Sequence, residues 1–186
     1  MSFDSAAYRQ VLGQFATGVT LVTTIADGEP WAMTANSFTS ISLDPPIVMV
    51  SVAHGLTTND AVRTHKAFAV SILSANQTWL AKRFGSRIRP TDQFSDVPMR
   101  SGITGSPIIE NCLGWVDCRL SDLTEQGDHT VFFGEVVDLS LGRVEDPLLY
   151  YNSGYARIEP APRAARSRAG TADGKLIFFD WEHGDY

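Results

Sequence analysis

The chain has 186 residues, of which 44% are hydrophobic, and a formal net charge of −6. That length supports one domain, or one domain with a tail, around a sizeable core, and the composition is globular rather than disordered. With no block of Lys or Arg, a nucleic-acid or anionic-membrane partner is disfavoured, and no apolar run is long enough to span a bilayer.

The N-terminal stretch MSFDSAAYRQ lacks the basic start and apolar core of a leader, so the chain is expected to be cytoplasmic. A first helix is predicted after a cap at Asp4 or Ser5, because Tyr8, Val11, Leu12 and Phe15 fall on one helix face. Gly18 should stop it, and the apolar stripe should pack as a lid on a sheet. Residues 19–26 are rich in β-branched side chains and run into Asp27-Gly28, a hairpin signal, with a returning strand over 30–34.

Asp44-Pro45-Pro46 is a rigid turn, and residues 47–53 and 68–73 read as apolar strands. Between them, Thr57-Thr58-Asn59-Asp60 reads as the start of a short helix through Val62. Ser74 stands three residues before Gln77, a capping-box pattern for a helix ending near Phe84-Gly85. Residues 86–105 read as loop. Long strands are predicted over 113–123 and 130–141 around a turn at Gly127-Asp128, and residues 150–158 supply a last short strand or two.

The two cysteines, Cys112 and Cys118, have no metal-ligand spacing. Their even separation predicts two reduced, buried thiols on one face of a strand. From residue 160 the composition shifts to Ala, Pro, Arg and Gly. The predicted organisation is a domain over 1–160, a flexible linker over 161–174 and an apolar tail over 175–186 that docks on its own domain or a neighbouring chain. Long crossover helices are missing, so an antiparallel barrel or sandwich with a few small helices is expected.

The sequence contains no G-x-G-x-x-G opening a helix, no phosphate loop, no H-E-x-x-H and no G-x-S-x-G. His54, His65, His129 and His183 show no ligand spacing, and no metal site is expected. What remains is a run of small polar residues: Thr34, Asn36, Ser37, Thr39, Ser40 and Ser42. By composition alone such a cluster reads more often as a surface loop. Met33 and Phe38 are interleaved with it, and an aromatic and a thioether beside hydrogen-bonding groups suit a flat heterocycle with a polar edge.

The chain resembles the short-chain NAD(P)H-dependent flavin reductases that serve two-component flavin monooxygenases. The resemblance rests on GQFATGVTLVTT, MTANSFTSISLDPP, FAVSIL, GSPIIENCLGWVDC, GDHTVFFGEV and PLLYYNSGY, which occur in the expected order from about Tyr8 to Ile158. It implies a mainly β fold, an antiparallel, Greek-key-like split barrel of the FMN-binding type with a few short flanking helices. It also implies a homodimer with flavin near the subunit interface.

By the same resemblance, Pro30, Trp31, Ala32, Met33 and Thr34 run along the isoalloxazine of FMN or FAD, with Asn36 and Ser37 beside them. Ser51, Val52 and Ala53 close the pocket. Thr57 and Thr58 meet the phosphate, and Arg83, Phe84, Gly85, Ser86 and Arg87 add flavin contacts. His129 positions the nicotinamide of NADH, with Tyr150, Tyr151, Asn152 and Ser153 on the same side. NADPH is less favoured, because no basic clamp for its 2′-phosphate is visible. The implied activity is reduction of free flavin for a partner monooxygenase. The alternatives are a flavin carrier or sensor without turnover, and an unrelated β-barrel module for haem or pyridoxal phosphate. The polar run offers no Lys or His to hold either of the last two.

Overall fold

The structure, a computed structural model, describes residues 4–86 and 92–158. Arg87 and the predicted linker and tail lie outside the described residues. Asp4 caps α1 (Ser5–Leu12) by accepting a hydrogen bond from the Ala6 N–H at 2.8 Å. The helix ends at Gly13, before the expected stop at Gly18. Its apolar stripe does not act as a lid on its own sheet: no residue of the helix is buried, and Val11 and Phe15 are 69% and 75% exposed. Helical spacing reports that one face is apolar, not what covers it.

The short strand β1 (Thr17–Gly18) leads into β2 (Thr20–Ala26). Asp27 and Gly28 both take left-handed backbone angles, with φ of 52° and 83°, and return the chain as β3 (Glu29–Ala35). This is the two-residue turn whose twist matches that of paired strands. The polar run then departs from the expected loop. Its second half forms β4 (Thr39–Leu43), which pairs with β5 (Pro46–Ala53) across the Asp44-Pro45-Pro46 turn.

Helix α2 (Thr57–His65), strand β6 (Ala67–Ile72), a 3₁₀ turn (Ala75–Gln77) and α3 (Thr78–Gly85) follow. The stretch expected to be loop contains β7 (Met99–Ser101), which pairs with β8 (Pro107–Ile109). The long ribbon β9 (Gly114–Gln126) and β10 (His129–Leu141) turns at Gly127-Asp128. Strands β11 (Leu149–Tyr151) and β12 (Gly154–Ala156) complete the described chain. Because β9 opens at Gly114, Cys112 precedes the strand and Cys118 lies inside it, so the two do not share a strand face. Both are buried free thiols.

Seven strands form one antiparallel sheet in the order β3-β2-β6-β9-β10-β5-β4. Its two outer strands, β3 and β4, are neighbours in sequence, so the sheet must curl until its edges approach. The shared core shows that it does: Met33 of β3 and Val50 of β5 belong to one cluster with Val22, Val70, Phe68 and Phe132. The fold is the expected split barrel, with its edges not closed into a ladder. Along β5, Val48, Val50 and Val52 point into the core, while Met49, Ser51 and Ala53 face outward and are only partly buried. A second cluster covers part of the outside, where Leu80 and Phe84 of α3 meet Leu21, Ala32 and Ile109.

The barrel interior is tight. A Cβ at Gly134 would sit 2.5 Å from the Phe68 ring and 2.7 Å from the Cys118 Cβ, so only glycine fits between them. Buried threonines of β2 satisfy their hydroxyls locally: Thr20 donates to the Ala35 carbonyl at 2.9 Å and Thr24 to the Ala67 carbonyl at 2.8 Å. The fully buried Asp117 accepts from the Thr104 N–H at 2.9 Å and from its hydroxyl at 2.5 Å, which pins the loop before β8 to the barrel.

Candidate functional site

Where β3 leaves the sheet, the connection through residues 36–38 crosses the seam of the barrel toward β4. Ser37 fixes that crossing by hydrogen bonding to the main chain of Ser51 on β5. Three adjoining hollows lie along this line. The first, about 650 Å³, is walled by Asn36, Ser37, Phe38, Met49 and Ser51, with Leu12 and Phe15 at its rim. The second, about 200 Å³, lies between Thr34, Asn36, Gly85, Tyr150 and Tyr155. The third, about 700 Å³, runs from Trp31, Met33 and Thr34 to the loop over residues 53–57 and the end of α3 at Phe84, Gly85 and Ser86. Asn36 is common to the first two, and Thr34 and Gly85 to the last two, so the three form one groove.

The groove has the chemistry of a site for a flat aromatic ring with a polar edge and an anionic tail. At one end, Phe38 and Met49 offer apolar faces next to the amide of Asn36. Thr17 also lines this end, and its buried hydroxyl has no hydrogen-bond partner among the described residues. At the other end, α2 begins at Thr57, and the cap residue Leu56 gives no side-chain hydrogen bond. That leaves the helix start suited to an anion. Gly85 keeps the middle open: a Cβ there would already lie 3.7 Å from the Thr34 side chain and 4.0 Å from the Tyr155 hydroxyl. Burial pushes the Tyr155 hydroxyl upward, with the neighbouring Tyr150 adding to it.

Of the residues singled out in the sequence, Trp31, Met33, Thr34, Asn36, Ser37, Ser51, Ala53, Thr57, Phe84, Gly85, Ser86 and Tyr150 line the groove. Others stand elsewhere. Ala32 and Val52 are wholly buried, one in each of the two cores. Pro30 borders a separate hollow with Met99 and Arg100. Thr58 is buried and accepts a hydrogen bond from the Trp31 indole N–H at 3.1 Å, so it holds the groove's wall rather than facing it. Arg83 turns away to Asp96, which it meets at 3.1 Å through Nη2, and stacks on Trp79.

Tyr151 ends β11, and Asn152 and Ser153 form the exposed turn to β12, where the Asn152 N–H donates to the Gly13 carbonyl at 2.8 Å. His129 does not wall the groove. It opens β10 directly opposite Ala53, and its Nδ1 lies 2.7 Å from the Asp128 carboxylate. That imidazole holds Asp128 below the usual carboxylate range.

Phe38, picked out in the sequence beside Met33, walls the first hollow, whereas sequence reasoning missed Met49, Tyr155 and His54 as groove residues. Alternation along β5 could have found Met49, because it shares a face with Ser51. Nothing local signals Tyr155, which reaches the groove only through the β11–β12 hairpin. Among the described residues, no cluster of three or more His, Cys, Asp or Glu is placed to hold a metal ion.

The flavin reductase like domain family matches residues 12–159. The chain is 40% identical over 159 residues to the reductase subunit of a flavin-dependent monooxygenase from Rhodococcus jostii, covering 86% of this chain and 80% of that one. It is 37% identical over 154 residues to an FMN reductase (NADH) from Agrobacterium fabrum, covering 83% and 86% respectively. Its fold is similar to that of the Streptomyces globisporus NADH:FAD oxidoreductase, solved in complex with NAD and FAD fragments. For that pair the TM-score is 0.79 with 37% identity, over 84% of this chain and 94% of the other.

Proposed function

The chain belongs to the flavin reductase like domain family, and on that footing we propose that it reduces FMN or FAD with NADH and supplies the reduced flavin to a monooxygenase component. The observation that carries this reading is the single groove that runs from Phe38 and Met49 to the start of α2. It sets apolar faces beside hydrogen-bonding groups at one end and a helix start without a side-chain cap at the other.

When both nucleotides are bound, the chemistry is hydride transfer from nicotinamide C4 to flavin N5. The chain's part is to bind, orient and exclude water. Asn36, Ser37 and Ser51 hold the polar edge of the ring, and Trp31, Met33 and Thr34 line its length. Thr57 and Ser86 meet the phosphate. His129, fixed by Asp128, positions the nicotinamide and needs to move no proton. Met49 and Tyr155 join this set.

The active form is a homodimer, which the exposed apolar stripe of α1 at the rim of the groove supports. The protein acts in the cytoplasm. The two buried free thiols support that placement.

Anaerobic stopped-flow mixing of the flavin-loaded protein with NADH tests the reading. The expected result is bleaching of the oxidised-flavin band near about 450 nm. A saturably bound flavin that NADH does not bleach would instead identify a carrier.

A further inference from the structure

The loop at the tail end of the groove and the turn that carries His129 adjoin through the β5–β10 ladder, where His129 faces Ala53, and one carboxylate ties their side chains together. Glu125 is the penultimate residue of β9, just before the turn. One of its oxygens lies 2.8 Å from His54 Nε2, and His54 lines the groove beside Thr57. The other oxygen accepts from Arg63, in the last turn of α2. The Arg63 guanidinium also donates to the Thr130 hydroxyl at 2.7 Å and to the Asn59 side-chain oxygen at 2.8 Å. The main chain adds a further tie, from the His54 N–H to the Asp128 carbonyl at 2.9 Å.

We propose that Glu125 is a positioning residue that couples the flavin-tail loop to the nicotinamide turn, so that occupancy of either site favours the other. This rests on the functional reading above, which places the flavin tail at Thr57 and the nicotinamide at His129. The physical argument is one of shared ordering. The His54-Gly55 corner depends on Gly55, whose φ is +74°, and both it and the Gly127-Asp128 turn are exposed. Each ligand must immobilise its own segment, and the second ligand spends less of its binding energy on ordering if the first has already fixed the shared bridge. Glu125 can do this because it reaches both sides at once: His54 on the loop, Arg63 on the helix behind it, and its own strand leading into the turn. Its carboxyl is held down to about 2, chiefly by the Arg63 hydrogen bond, so it stays ionised throughout the working pH range.

The test is a flavin-fluorescence titration of the full chain, with and without saturating NAD⁺, using whichever of FMN and FAD binds more tightly. NAD⁺ cannot reduce the flavin, so binding is read alone. In the wild type, NAD⁺ is expected to tighten flavin binding by about fivefold, the low end of ordinary coupling. In Glu125→Ala and in Glu125→Gln, the second keeping the side chain's shape without its charge, the factor is expected to fall below about two. Circular dichroism establishes that each variant is folded. A wild type without coupling, or a folded Gln variant that retains it, overturns the proposal. Failure of the underlying functional reading looks different: no saturable flavin binding, or no bleaching by NADH in the wild type.

Discussion

The hydroxyl of Ser37 clasps both main-chain polar groups of Ser51, donating to its carbonyl at 2.9 Å and accepting from its N–H at 3.2 Å. A side chain here does what a strand would do elsewhere, because the chain at residues 36–38 has left β3 and not yet entered β4. Replacing Ser37 with Ala leaves both groups of Ser51 without this partner in a partly buried place. The expected cost is roughly 1–3 kcal/mol, read as a lower urea midpoint. Flavin affinity is expected to fall with it, since both serines wall the groove. A Ser37→Ala protein of unchanged stability would show that the seam is held by other means.

Gly85 is the narrow point of the groove. Its Cβ space is ordinary van der Waals contact, so Gly85→Ala should bind flavin within about twofold of wild type. Gly85→Leu fills the small middle hollow and should weaken flavin binding by about tenfold, close to 1.4 kcal/mol, without lowering the melting temperature. Fluorescence titration of the two variants side by side checks this.

His129 is assigned to the nicotinamide alone. Its replacement by Ala is expected to raise the KM for NADH by about tenfold while the flavin Kd, measured without nucleotide, moves less than about twofold. An unchanged KM together with an unchanged rate of flavin reduction would remove His129 from the site.

In the proposed homodimer, the bare stripe of α1 with Phe15 just beyond the helix is the expected subunit contact. Phe15, 75% exposed, and Val11, 69% exposed, would be buried in a dimer. A buried Phe contributes roughly 1.5–3 kcal/mol. Phe15→Asp is therefore expected to shift the protein from dimer to monomer at micromolar concentration in light-scattering chromatography. A variant that remains dimeric places the interface elsewhere.

Glu125 also sets an acid limit on stability. The hydrogen bond from Arg63, with those from Thr130 and His54, lowers its pKa from an ordinary 4.5 to about 2. A carboxyl depressed in the folded state stabilises the fold fully above its unfolded value and loses that contribution as pH falls toward the folded one. The contribution of Glu125 is thus complete above about pH 4.5 and drains away between there and about pH 2. Wild type and Glu125→Gln should differ in urea midpoint at neutral pH and converge as the pH falls through that window.

Much of the fold was legible because its signals are local. Asp27-Gly28 and Gly127 name their turns through backbone angles that few other residues adopt. Residues 47–53 read as an apolar strand, though the run does not say which side faces the core, and Ser74 with Gln77 marks a helix start. Order along the chain, read as a resemblance, added the flavin and the nicotinamide. The sequence did not reveal which neighbours each residue meets across the fold. Arg83 immediately precedes the groove residues Phe84 and Gly85, yet Asp96 and Trp79 draw it outward. Thr57 and Thr58 are adjacent and alike, yet one faces the groove and the other is buried against Trp31. Ser37 meets Ser51, and His54 meets Glu125, only because a curled sheet brings its separated parts together. Local propensity and turn chemistry act between near neighbours and can be read directly from the residues. Side-chain partnership depends on which distant strands are brought together, and only the curled packing of the sheet decides that.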